Sequence, residues 1–148
     1  MIAYLDASAL VKRYVAEPGA RETARILAQA DVAGTCIISR AEVGAALAKA
    51  VRTGVLKERA ARACRRALGA DWIDVARLPI TEPLVVRAEG LAWQYGLRGY
   101  DAVHLAAALV WQELLGAEVT LVSFDRALAD AARLAGLRTA PGDVDSER

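Results

Sequence analysis

The sequence predicts an α/β fold in three layers, a parallel sheet with helices on both faces. Three observations point there. Apolar runs rich in branched side chains occur at residues 2–5, 35–38, 72–75 and 119–122; segments of helical period lie between them; and this alternation is the pattern of a parallel sheet covered on each side. The 148 residues, 55% hydrophobic and 25% charged, suit a single core and exclude disorder for most of the chain. We expect one domain over 1–140 and a polar C-terminal tail over 141–148.

The elements follow in order. After the first strand, residues 8–16 read as a short helix stopped by Pro18-Gly19, and residues 20–30 as a second. A helix over 40–52 follows the second strand. Gly54 breaks the pattern before a basic helix over 57–68, and Asp71 opens the third strand after Gly69. Thr81 reads as an N-cap with Pro83 in the first turn of a helix reaching Tyr95. Gly96 and Gly99 flank a loop into a helix over 100–115, where Ala106, Ala107 and Ala108 allow close packing on the sheet. The fourth strand delivers Ser123-Phe124-Asp125 to a helix ending near Gly136, and residues 137–140 form a short edge strand.

Nineteen basic and eighteen acidic side chains leave a net charge of +1, so nucleic acid must be captured by a local patch. Cys36 and Cys64 are too few for a disulfide framework and read as reduced, buried thiols. The start of the chain lacks the features of a secretory signal, and no apolar run approaches the roughly 20 residues of a membrane span. A cytoplasmic protein with no membrane contact is expected.

Asp6 follows the first strand and Asp125 the fourth, so both lie at the carboxyl edge, where open α/β sheets place ligands. Glu42, placed in the first turn of the helix leaving strand two, reaches the same edge. Asp101 begins a helix that precedes strand four. That helix spans roughly 22 Å and the returning chain roughly 19 Å, which brings Asp101 back beside Asp125. Four crowded carboxylates raise one another's pKa and call for a cation. An all-oxygen donor set favours Mg²⁺ or Mn²⁺ over zinc. Such ions lower the pKa of a bound water and orient a phosphodiester, which suits hydrolysis of a nucleic-acid strand. Ser8 and Ser123 can hold the carboxylates or metal waters by hydrogen bonds, or serve as ordinary capping and turn residues.

At these residues the chain resembles the PIN-domain ribonucleases, most closely the VapC-type toxins of toxin–antitoxin pairs, over nearly its whole length. The motifs are Tyr4-Leu5-Asp6-Ala7-Ser8-Ala9-Leu10-Val11-Lys12, Ser39-Arg40-Ala41-Glu42-Val43, Gly99-Tyr100-Asp101-Ala102-Val103-His104-Leu105-Ala106-Ala107-Ala108 and Val122-Ser123-Phe124-Asp125. The resemblance implies strand order 3-2-1-4-5, metal-dependent endonucleolytic cleavage of RNA, a cognate VapB-like antitoxin encoded alongside, and homodimers. Asp6, Glu42, Asp101 and Asp125 fall on the family's acidic positions, Ser8 and Ser123 on its polar supporting ones.

Lys49, Arg52, Lys57, Arg59, Arg62, Arg65 and Arg66 are opposed by Glu58 alone within their segment. Arg59, Arg62 and Arg66, together with Lys12, are the candidate RNA contacts; the alternatives are a solvated helix face or a seat for an acidic partner. His104, three residues after Asp101, is expected to pack or hydrogen-bond rather than shuttle protons. Trp72, Trp93 and Trp111 are expected in core or dimer packing. Glu118 and Asp130 are controls that should bind no metal. The competing functions are a PIN-fold RNA-processing or DNA flap nuclease, a metal phosphatase, disfavoured because Ser8 stands where a second Asp is usual, and a binding module whose acids anchor a basic peptide.

Overall fold

The structure, a computed structural model, describes residues 1–142, so the expected tail from 143 onward lies outside the described residues. Five strands form an all-parallel sheet in the order β3-β2-β1-β4-β5. They are β1 (Ile2–Leu5), β2 (Val32–Cys36), β3 (Ala76–Leu78), β4 (Val119–Val122) and β5 (Arg138–Ala140). The central strand β1 pairs with β2 on one side, Tyr4 opposite Gly34, and with β4 on the other, Leu5 opposite Val122.

Alternation along β1 divides the core in two. Ala3 and Leu5 point into the cluster beneath α1 (Ala7–Leu10), α2 (Ala20–Gln29), α3 (Ile38–Arg52) and α4 (Glu58–Asp71). Tyr4 points the other way, into the cluster formed with α5 (Glu82–Tyr95), α6 (Gly99–Leu115) and α7 (Arg126–Leu134). Helix α6 is the most buried helix: Leu105 to Ala108 are fully enclosed, and the three alanines let its backbone lie close to the sheet, as the sequence suggests. On the same face Gly34 of β2 admits the Trp111 ring, since a Cβ there would come within 2.6 Å of it. Thr81 caps α5 as expected, its hydroxyl accepting from the Leu84 amide at 3.2 Å.

Several boundaries differ from expectation. Strand β2 ends at Cys36, and α3 starts at Ile38, so Glu42 stands in the second turn of α3 and not the first. The apolar run at 72–75 is not a strand. Gly69 and Asp71 lie inside α4, residues Trp72–Asp74 form a 3₁₀ turn, and β3 begins at Ala76. Trp72 lies under Arg40, whose guanidinium sits 5.5 Å from the ring centroid, while Ile73 is exposed. The first helix is split into α1 and a 3₁₀ turn over Val11–Arg13. Trp111 is core, but Trp93 is 92% exposed on α5. Cys36 is buried and Cys64 only partly so. Among the described residues, no helix is long and apolar enough to cross a membrane.

Candidate active site

The parallel sheet places the ends of β1 and β4 side by side, and the residues just beyond them define a crevice at the carboxyl edge. Asp6 leaves β1 and caps α1: its Oδ1 accepts from the Ala9 amide at 2.9 Å and from Ser8 Oγ at 2.7 Å. Its Oδ2 accepts from Ser123 Oγ at 2.6 Å. The carboxyl group is almost completely enclosed. Burial pushes its pKa up, opposed by the bonds from Ser123, Ser8 and Ala9 and by His104 nearby. Both serines therefore do what the sequence suggested as one of two options: they hold the carboxylate. Each also organises the β4–α7 turn, Ser8 Oγ accepting from the Phe124 amide and Ser123 Oγ from the Asp125 amide, both at 3.0 Å.

Asp125 is the N-cap of α7, its Oδ1 accepting from the Leu128 amide at 2.9 Å. Its Oδ2 turns to Arg98, whose Nη2 donates at 3.1 Å, and the same guanidinium donates from Nε to Asp101 Oδ2 at 3.1 Å. Asp6, Asp125 and Asp101 are thus linked through two shared partners, Ser123 and Arg98. The helix-return estimate that put Asp101 next to Asp125 agrees with this placement.

Glu42 is held by a separate chain of hydrogen bonds. The Cys36 amide donates to Tyr4 Oη at 3.2 Å, which leaves the Tyr4 hydroxyl proton to reach His104 Nδ1 at 2.8 Å. With Nδ1 accepting, the imidazole proton is on Nε2, and it donates to Glu42 Oε1 at 2.7 Å. Tyr4 and His104 are buried. His104 therefore has a hydrogen-bonding role, orienting one carboxylate of the set. A second buried pair fixes the start of α3: Thr35 Oγ1 donates to the Leu5 carbonyl at 2.6 Å and lies 2.7 Å from Ser39 Oγ.

Glu42 shares no hydrogen-bond partner with the three aspartates. Among the described residues, no three His, Cys, Asp or Glu side chains close on one point as a ligand cage. The donor chemistry nevertheless suits a hard divalent ion. Asp101 and Asp125 present oxygens to a cation already, the Arg98 guanidinium, and Asp6 is held from behind by neutral donors.

Sequence reasoning missed Arg98 and Tyr4. The i, i+3 spacing of Arg98 to Asp101 was a usable signal; nothing in the sequence marks one tyrosine hydroxyl among four. Of the candidate RNA contacts, Lys12 is turned inward, its ammonium 2.9 Å from Glu17 and 4.7 Å from the Phe124 ring centroid. Arg59, Arg62 and Arg66 are exposed on α4. Arg62 pairs with Glu58 and, with Arg40, Arg52, Arg65 and Arg66, rims a groove of about 1300 Å³ between α3 and α4. The controls lie apart: Glu118 pairs with Arg138 and Asp130 with Arg133.

Comparison with known proteins bears on the fold and the family. The PIN domain model matches residues 3–134. Ribonuclease VapC47 of Mycobacterium tuberculosis is 36% identical over 146 residues, covering 95% of this chain and 98% of its own. Ribonuclease VapC45 of the same organism is 33% identical over 144 residues, 97% and 98% respectively. A toxin-antitoxin complex from Klebsiella pneumoniae superposes with a TM-score of 0.58 at 18% identity, covering 83% of this chain and 86% of that one, which speaks for the fold. With its strand order, its acidic edge and these relatives taken together, the chain belongs to the PIN domain family, on its VapC-type branch.

Proposed function

We propose that this protein is an endoribonuclease that hydrolyses RNA phosphodiester bonds with Mg²⁺ or Mn²⁺, and that it is the toxin of a two-gene module. The observation that carries the reading is the bonded series Asp6–Ser123–Asp125–Arg98–Asp101 at the carboxyl edge; Glu42 is held separately by His104. The names of the two relatives as ribonucleases support RNA as the substrate class.

Asp6, Glu42, Asp101 and Asp125 would hold the divalent ions. When bound, such an ion lowers the pKa of a water and offsets charge developing on the phosphate. Ser8, Ser123 and the Ala9 amide keep both Asp6 oxygens in place, and Tyr4 and His104 keep Glu42 in place, so little side-chain entropy is lost on loading. The arginine-rimmed groove between α3 and α4 would give the ribose–phosphate backbone a place to bind. In-line attack by water on phosphorus with the 3′ oxygen as leaving group gives 5′-phosphate and 3′-hydroxyl ends.

An antitoxin partner is supported by the VapC-type family and by the Klebsiella structure of that kind. A homodimer fits the apolar side chains left open on α5, Trp93 and Val86. A cytoplasmic site of action is in keeping with an RNA substrate. The test is end-group analysis of RNA cut by the purified protein. Ends of 5′-phosphate and 3′-hydroxyl, formed only with the divalent ion, are expected; 2′,3′-cyclic phosphate ends would reject hydrolysis by activated water.

A further inference from the structure

Two of the four carboxylates already face a cation, and it comes from the chain itself. Arg98 occupies the N-cap position of α6, three residues before Asp101. Its guanidinium forks between Asp101 Oδ2 and Asp125 Oδ2, both at 3.1 Å. The other Asp125 oxygen is committed to the Leu128 amide, so Arg98 takes the one that this cap leaves open. The acids are the sheltered partners, with side chains 16% and 26% exposed, whereas the Arg98 side chain is 80% exposed.

That asymmetry suggests a role. A positive charge at a helix N-terminus opposes the helix dipole, so Arg98 does not serve α6 itself. Nor is it packed in place: it can swing into solvent without opening a cavity. What it does is neutralise two carboxylates that belong to different helices and would otherwise repel. The oxygens it holds are ones a divalent ion would need, and guanidinium and metal cannot occupy them together.

Resting on the reading of the edge as a divalent-metal site, we propose that Arg98 is a built-in counter-ion. It ties Asp101 to Asp125 while no metal is bound and competes with the metal for their oxygens. It is a positioning residue, and loading the site requires it to move aside. Because the pairs it makes are exposed, the competition is modest and screened by salt. Removing the charge should therefore tighten divalent-ion binding about three- to tenfold at low ionic strength.

The experiment measures Mn²⁺ binding to chelator-stripped wild type, Arg98→Gln and Arg98→Lys without RNA, by the electron paramagnetic resonance signal of free Mn²⁺. Thermal unfolding with and without Mn²⁺ runs in parallel. Arg98→Gln is expected to lower the Kd by about three- to tenfold and to enlarge the rise in Tm that Mn²⁺ produces, with Arg98→Lys nearer wild type. A Kd in Arg98→Gln equal to or weaker than that of wild type overturns the counter-ion. Unchanged Mn²⁺ affinity together with weaker binding of RNA, titrated separately into the same chelator-stripped proteins, does so as well, because it assigns Arg98 to the substrate phosphate. If neither chain binds Mn²⁺ in the millimolar range, the metal reading itself fails and the counter-ion with it.

Discussion

At the carboxyl edge of the sheet, Asp6 is enclosed and both its oxygens are bonded to groups that are themselves held, while on α4 Arg59, Arg62 and Arg66 stand in solvent. Among the described residues, only Arg62 of the three has an ion-pair partner, Glu58 one turn earlier on the same helix. The two regions handle charge in opposite ways. Burial makes Asp6 costly to ionise, and the cost is sustained because hydrogen bonds fix its position. The arginines cost little and are not fixed, which suits a polyanion that arrives in many conformations. On the proposed reading, the contrast teaches that position is built into the part of the molecule that would do the chemistry, and charge density into the part that would capture RNA.

Substitutions can break this contrast at either end. The largest effect belongs to the acids: Asp6→Asn is expected to reduce RNA cleavage on the order of 10³-fold, beyond the 10–100-fold that losing a ligand's supporting bond costs. Initial rates on labelled RNA measure it, and a loss under tenfold would place Asp6 outside the reaction. Next comes the buried relay. Tyr4→Phe strands His104 Nδ1 and the Cys36 amide, so it should destabilise the fold by about 1–3 kcal/mol in urea titrations. It should also weaken Mn²⁺ affinity about tenfold as Glu42 loses its anchor. Stability lost with affinity unchanged would make the relay purely structural.

Smaller effects sharpen the comparison. Replacing Arg62 and Arg66 together by Gln should lower RNA affinity and reduce the slope of log K against log salt by about two, leaving Mn²⁺ affinity as it was. An unchanged slope would remove the groove from the RNA path. The smallest effect is on the metal-free fold. Asp6 has a raised folded-state pKa, so it binds a proton more tightly folded than unfolded; ionising it costs stability once the pH exceeds the folded value, and the cost disappears below the unfolded one. In chelator, Asp6→Asn should therefore raise Tm by about 2–4 °C at pH 7 and show no such gain near pH 4. A gain that persists at low pH would assign the effect to something other than the charge.

Much of the fold was legible because buried strands announce themselves. Ile2–Leu5 and Val119–Val122 are almost wholly apolar, and their ends locate Asp6 and Asp125 directly. Strand β2 was harder: its signal is diluted by Gly34, a residue chosen for the Trp111 ring it admits, and the adjoining Ile37 and Ile38 belong to the helix that follows. Strand β3 was masked for the converse reason. As an edge strand of three residues it buries only Leu78, whereas the apolar run before it serves as a turn that seats Trp72 against Arg40. In the site, the acids and the two serines could be picked out by type and spacing. Tyr4 could not, because its role arises from a partner 100 residues away, and the Arg98–Asp101 spacing gave no sign of the second partner, Asp125, 27 residues on.

The most direct test of the central claim compares cleavage of total RNA by purified wild type and Asp101→Asn, each with Mg²⁺, with Mn²⁺ and with chelator. Cleavage by wild type with either ion, and by neither protein in chelator nor by Asp101→Asn under any condition, is the predicted result. Cutting by wild type in chelator, or at undiminished rate by Asp101→Asn, would contradict it.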